Sequence, residues 1–244
     1  GGLIYLQPDL SATATVFILG GMLFFLAGAD KKQIIMLMLF AAVVAWIIVQ
    51  FNATGRERVD FYWHGLLDPT KASYHVKRSL EAIINGGFWG LGIGKSITKL
   101  TGLPFPHTDS IFAVLAEELG LLGATILILL YGVMIWRGLV IARRAPDMLG
   151  TLLATGLVYW IGIEALINIT VLVGLMPFAG NALPFMSAGG SSLVTSLAAI
   201  GILYNVSRQR GESAQAEDEW RAFGATSNLR RRNGRRGLSR SRRS

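Results

Sequence analysis

Uncharged apolar runs long enough to cross a bilayer recur along this chain, and they restrict what it can fold into. Leu10 to Ala29 and Gln33 to Phe51 contain no charged residue. Ser110 to Val140 is interrupted only by Glu117, Glu118 and Arg137, and from Met148 to Val206 the one charge is Glu164. Runs beyond about 18 apolar residues mark spanning helices. The stretch 148–206 is too long for one span, and Gly174, Pro177, Gly180 and Pro184 divide it. The pattern predicts an all-α polytopic helical bundle over 1–206, with five spanning helices at about 10–29, 33–51, 110–140, 148–173 and 187–206. A long loop, 52–109, separates the second from the third, and a tail follows from 207 to 244. Composition agrees: 52% of residues are hydrophobic, mean hydropathy is +0.49, and 16% are charged, against roughly 25% in soluble domains.

Charge placement orients the bundle. The net charge is +8, of which 11 Lys/Arg and 4 Asp/Glu in 207–244 contribute +7. Lys31-Lys32, then Arg137, Arg143 and Arg144, then the Arg-rich tail close the first, third and fifth runs. Under the positive-inside rule these clusters share the cytoplasmic side. Loop 52–109 and the turn 175–188 then face outward. The tail, rich in Ser, Gly and Arg and poor in apolar residues, reads as disordered and attracted to anionic lipid. Nothing in this body argues for a nucleic-acid partner. Without cysteine there is no disulfide framework, thiolate nucleophile or zinc–thiolate site. The chain starts without Met and inside an apolar segment, which suggests the C-terminal part of something longer.

The outer loop carries seven Lys/Arg: Arg56, Arg58, Lys71, Lys77, Arg78, Lys95 and Lys99. So many cations outside want a reason, and an anionic ligand is one. Gly90-Leu91-Gly92-Ile93-Gly94-Lys95-Ser96 resembles a nucleotide phosphate loop, but Trp89 stands where the first glycine must be, and no strand precedes it. A weaker expectation survives, that backbone N–H groups with Lys95 or Lys99 hold a pyrophosphate; the alternative is a flexible connector with solvated lysines. Ser79–Ile84 suits an amphipathic turn at the interface, and Gly86-Gly87-Phe88-Trp89-Gly90 has the aromatic character found at the headgroup level.

The loop ends in Pro106-His107-Thr108-Asp109, directly before an apolar run. Asp109 is either a helix cap or a general base held by the stiff approach through Pro104 and Pro106, with His107 beside it. Glu117 and Glu118 lie two turns into the third run and Glu164 in the fourth. Ionisable groups there are functional or paired; Glu164 reads as structural, Glu117 as either a substrate contact or a structural pair. Asp9 reads as a cap. Ser187-Ala188-Gly189-Gly190-Ser191-Ser192 permits close helix packing or close approach of a ligand to Ser191. His64 and His75 show no metal-ligand spacing, and the three histidines support no zinc site.

Taken in order, Gln7-Pro8-Asp9-Leu10, Leu67-Asp68-Pro69, Ile84-Asn85-Gly86-Gly87 and Leu103-Pro104 with His107-Thr108-Asp109 resemble the SEDS family of bacterial cell-wall proteins (FtsW, RodA, SpoVE). So do Ile111-Phe112-Ala113-Val114, Ala116-Glu117-Glu118-Leu119-Gly120, Asn168 through Gly174, and Leu183-Pro184-Phe185 running into Gly189-Gly190-Ser191-Ser192. The match covers residues 7–206 and resembles the second half of a ten-helix fold, leaning slightly towards FtsW. The resemblance implies a peptidoglycan glycosyltransferase of the bacterial plasma membrane. It would polymerise lipid II on the outer face, beside a class B penicillin-binding protein and other divisome or elongasome proteins. It maps the family's essential aspartate onto Asp109. An α-linked sugar pyrophosphate giving a β-linkage needs a base on the acceptor 4-hydroxyl and charge stabilisation on the leaving pyrophosphate. Arg58, Lys95 and Lys99 are the expected cations, with His107, Glu117 and Ser191 as further substrate contacts. No cofactor is evident, and a divalent cation is compatible though no motif places one. The rival functions are a lipid II flippase and a non-catalytic division scaffold. Departures from the family are Ser11-Ala12 for Gly-Thr, Phe105 for Glu, Ala188 for Tyr, and His75 and Arg78 for Gln.

Overall fold

A computed structural model describes residues 10–28, 30–51, 53–68 and 71–209. Among these are the helices α1 (Leu10–Leu26), α2 (Lys31–Phe51), α3 (Ala53–Leu67), α4 (Tyr74–Gly86), α5 (Ile111–Arg143), α6 (Met148–Leu172) and α7 (Gly190–Gln209), and no strand. The five apolar runs become α1, α2, α5, α6 and α7. Among the described residues α5, α6 and α7 are long and apolar enough to cross a membrane. Gln7-Pro8-Asp9, and the tail from 210 onward, lie outside the described residues.

The expected loop 52–109 is half helix. The charged α3 follows α2 after a one-residue gap. In α4, Val76, Ser79, Ala82 and Gly86 are buried at helical spacing, and Ser73 Oγ accepts the Val76 N–H at 3.4 Å. The small residues allow close approach to α5: a Cβ on Gly86 would lie 2.1 Å from the Ala116 carbonyl oxygen. The amphipathic segment 79–84 thus turns its buried face to α5 rather than to the bilayer.

The centre of the bundle is α5, which packs against α4 and α6, while α1 packs against α6 and α2. Phe112, Ala116, Tyr131, Ile161, Leu172 and Leu183 form the main core. Ala142, Ala154, Val158, Leu203 and Val206 form a second one towards the C-terminal ends of α5 and α7. At 33 residues and 1.5 Å per residue, α5 is about 50 Å long, more than a hydrocarbon core of about 30 Å requires.

The excess is set off by a break at Gly120 (φ 71°, ψ −171°), a conformation that glycine tolerates. The chain segment 87–92 is stitched into this break. Leu91 and Gly92 N–H donate to the Glu117 and Glu118 carbonyls at 3.0 and 2.9 Å; Leu121 and Leu122 N–H donate back to Gly87 and Phe88 at 2.9 and 3.4 Å. Backbone groups that the helix leaves unpaired are therefore paired by the loop. The seam admits no side chain, since a Cβ on Gly90 would sit 2.2 Å from the Glu118 oxygen and one on Gly120 2.4 Å from the Gly90 nitrogen.

Candidate active site

Asp109 ends the segment that returns from the loop to α5. Pro104 and Phe105 organise this return: Thr108 and Ser110 N–H donate to the Phe105 carbonyl at 3.1 and 3.2 Å, and Ser110 Oγ to the Pro104 carbonyl at 2.8 Å. Phe105 adopts φ 47°, a strained value for a residue with a side chain. The cap position of α5 belongs to Ser110, so Asp109 is not the helix cap. Its backbone carbonyl accepts Asn168 Nδ2 at 2.8 Å, and the same nitrogen reaches the Asn181 carbonyl at 2.5 Å. Its half-buried carboxylate faces Gly180, where a Cβ would come within 3.1 Å of Oδ2. Among the described residues, that carboxylate accepts no hydrogen bond.

Three elements bring partners to it. His75, near the start of α4, is sandwiched between Phe178 (ring centroids 4.2 Å apart) and Phe105 (6.0 Å). From α3 the Arg58 guanidinium lies 5.7 Å over the other stacking ring, Phe178. Burial lowers the His75 pKa from its ordinary value; the Asp109 charge opposes that shift and Arg58 adds to it. A neutral imidazole, an arginine and a carboxylate therefore share one field. Beside them opens a cleft of about 250 Å³ lined by Arg58, Tyr62, Val76, Leu175 and Phe178. In the sequence, His75 stands out only as lacking metal-ligand spacing and as a departure from the family, and Phe178 is not singled out. The signal for His75 was its place beside the buried stripe of α4; Phe178 carried none.

The other candidates spread out. Exposed His107 joins the site through its backbone, whose carbonyl accepts the Ala188 N–H at 2.9 Å. This places the start of α7, with exposed Ser191, alongside the 107–109 turn. Lys95 and Lys99 stand on segment 92–101, and among the described residues neither forms an ion pair with Asp109. Glu117 is fully buried. It accepts Thr98 Oγ1 at 2.7 Å, Thr98 N–H at 3.2 Å and a short bond from Ser96 Oγ, while Lys99 N–H reaches Ser96 Oγ at 3.2 Å. Of the two readings open for Glu117, substrate contact or structural pair, this geometry presents the pair: the carboxylate is enclosed and its oxygens are taken up by its own loop. Glu164 accepts Trp160 Nε1 at 3.0 Å, a structural role as expected. Among the described residues no three His, Cys, Asp or Glu side chains converge as metal ligands.

This arrangement has relatives. The family described as cell cycle protein, covering FtsW, RodA and SpoVE, matches residues 1–212. Stage V sporulation protein E of Bacillus subtilis (strain 168) is 40% identical over 207 residues, 84% of this chain and 56% of that protein. A probable peptidoglycan glycosyltransferase FtsW from Halothiobacillus neapolitanus is 40% identical over 88% of this chain and 53% of its own length. Among solved structures, a peptidoglycan synthase complex concerned with polymerization and crosslinking matches with TM-score 0.67 at 29% identity, over 86% of this chain and 58% of the other. The rod shape determining protein RodA of Thermus thermophilus matches with TM-score 0.56 at 28% identity, over 86% and 52%. The chain spans about half the length of the curated relatives it matches.

Proposed function

Because this chain belongs to the FtsW/RodA/SpoVE family of multi-pass membrane proteins, we propose that it contributes the catalytic half of a peptidoglycan glycosyltransferase, with Asp109 as general base. The observation that carries this is the state of the Asp109 carboxylate: held through its backbone, half-buried, unpaired among the described residues, and sharing the field at His75 with Arg58, which lines the neighbouring cleft. A carboxylate left without donors in a well-packed neighbourhood is free to accept a proton from a bound hydroxyl. In the proposed reaction Asp109 removes the proton from the 4-hydroxyl of the acceptor sugar. That oxygen attacks the anomeric carbon of the donor, inverting it as the bond to the lipid pyrophosphate breaks.

Arg58 is the cation best placed for the departing pyrophosphate, because it shares the field of Asp109 at His75. Lys95 and Lys99 supply charge from further along the loop. His107 and Ser191 border the acceptor side. Phe105 and Phe178 bracket the His75 ring and hold it beside Asp109. Asp109 is the one carboxylate assigned to this cluster. The cluster does not by itself compose a divalent-cation cage, and no step is routed through such an ion.

The substrate in this proposal is lipid II, with a class B penicillin-binding protein and other divisome or elongasome proteins as partners. The loop and site face outward and the C-terminus lies in the cytoplasm, its basic tail against anionic lipid. The test is polymerisation of purified lipid II by the full-length protein with its partner, wild type against Asp109→Ala. Undiminished glycan in the variant would remove the mechanism. Lost lipid transport with intact polymerisation would favour a flippase, and partner recruitment without either activity a scaffold.

A further inference from the structure

The segment that runs along the break in α5 exposes side chains that a water-facing loop has little reason to carry. Trp89 is 80% exposed, Ile93 82% and Phe88 55%, and none of them touches the Asp109 cluster. Their depth is fixed by the seam. From Leu121 to Arg143 α5 runs about 34 Å at 1.5 Å per residue, close to the hydrocarbon thickness of about 30 Å. Gly120 therefore marks the level at which α5 leaves the apolar layer. The hydrogen bonds from Leu91 and Gly92 to Glu117 and Glu118, and from Leu121 and Leu122 to Gly87 and Phe88, hold the loop at that level.

We propose that the loop tip Phe88–Ile93 is a membrane anchor, embedded at the headgroup–acyl boundary of the leaflet on the loop side. The occupant of its apolar surface is phospholipid. Continuity supports this choice: Leu119, Leu121 and Leu122, the exposed residues of α5 at the break, pass directly into the exposed tip through the four seam bonds, so lipid that covers one reaches the other. Chemistry supports it as well. Phe88 and Trp89 form an edge-to-face pair 5.6 Å apart, and Lys95 follows closely, the aromatic and basic combination that settles at bilayer interfaces. The anchor is independent of Asp109 and of the reaction proposed for it.

These 244 residues contain no cysteine, so in the full-length protein, with any cysteine elsewhere replaced by serine, a single introduced cysteine carries a unique spin label. In phospholipid nanodiscs, labels on I93C and W89C should show a several-fold higher ratio of oxygen to nickel-chelate accessibility than a label on K77C, which lies on the exposed side of α4. As a second readout without labels, Trp89→Phe should remove part of the tryptophan emission that brominated phospholipids quench in the wild type. Ratios at 89 and 93 equal to that at 77, or quenching unchanged in W89F, would overturn the proposal. So would shielding of both labels from oxygen and nickel alike only on adding a penicillin-binding protein, which would make the tip a protein-docking surface.

Discussion

Asp109 and Glu117 are carboxylates eight positions apart, one just before α5 and one within it, and the fold treats them oppositely. Glu117 is fully buried, and its oxygens are taken up by Ser96 and Thr98. Asp109 is half-buried and its carboxylate accepts nothing from the described residues, although its backbone carbonyl is tied down by Asn168. A saturated carboxylate stabilises structure, because any ligand would first have to displace bonds already made. An unsaturated one in a rigid setting retains its capacity for a proton or a cation. Under the proposed mechanism, the difference separates a residue that builds the loop from one that uses it.

The largest effect that could break this contrast is at Asp109. Asp109→Ala should lower polymerisation by about 10²- to 10⁴-fold, the usual contribution of a general base, while the thermal unfolding midpoint stays within error of wild type. A large fall in the midpoint would place Asp109 in the same structural class as Glu117. Glu117→Ala should do the reverse first. Two hydroxyls and an N–H lose their acceptor at about 1–3 kcal/mol each, so stability should drop by roughly 3 kcal/mol or more, with activity falling in parallel as the loop loosens. Glu117→Gln, which keeps an acceptor oxygen, should recover part of both; a stable but inactive E117Q would return Glu117 to the substrate.

Smaller effects sharpen the surroundings of Asp109. Replacing Arg58 with Gln removes a cation–π contact worth about 1–2 kcal/mol and the proposed pyrophosphate partner. The kcat/KM for the lipid donor should fall by about tenfold, mostly through kcat because the pyrophosphate charge develops as its bond breaks, and an unchanged kcat/KM would reassign that role to Lys95 or Lys99. The smallest concerns pH. His75 is lowered by burial, so the folded protein favours the neutral ring. Its contribution to stability is complete above the ordinary histidine pKa near 6.5 and is lost as pH falls from there through the lowered folded value. Unfolding midpoints at pH 7.5 and 5 should differ more in wild type than in His75→Phe, after the common acid effect of the carboxylates is subtracted.

The order of the apolar helices could be read because each is a long run of one character, and Asp109 because prolines and a histidine crowd it at a helix boundary. What could not be read depends on pairings distant in sequence. The polarity of 52–109 hid α3 and all of α4 but the amphipathic turn at 79–84. Glu117 looked available because Ser96 and Thr98, its partners, lie 21 and 19 residues upstream. His75 and Phe178, stacked face to face, are separated by the whole of α5 and α6. Nothing local to Gly120 in the sequence announces a second stretch of chain lying against it.

The seam also changes what kind of polymer the connection between α2 and α5 is. A free tether from 52 to 109 would explore a large volume, and closing it would cost chain entropy that grows with the logarithm of its length. Here the contour is cut into short closures. It is pinned at 87–92 by the α5 backbone, at 96–98 by Glu117, and at Leu103 by a 3.0 Å bond from its N–H to the Thr98 carbonyl. Asp109 is then delivered by the last few residues of a clamped chain, and its fluctuations are those of that short remainder. Length added between the clamps at 92 and 96 would hang outward without moving it, whereas length added after 103 would pass straight to the carboxylate.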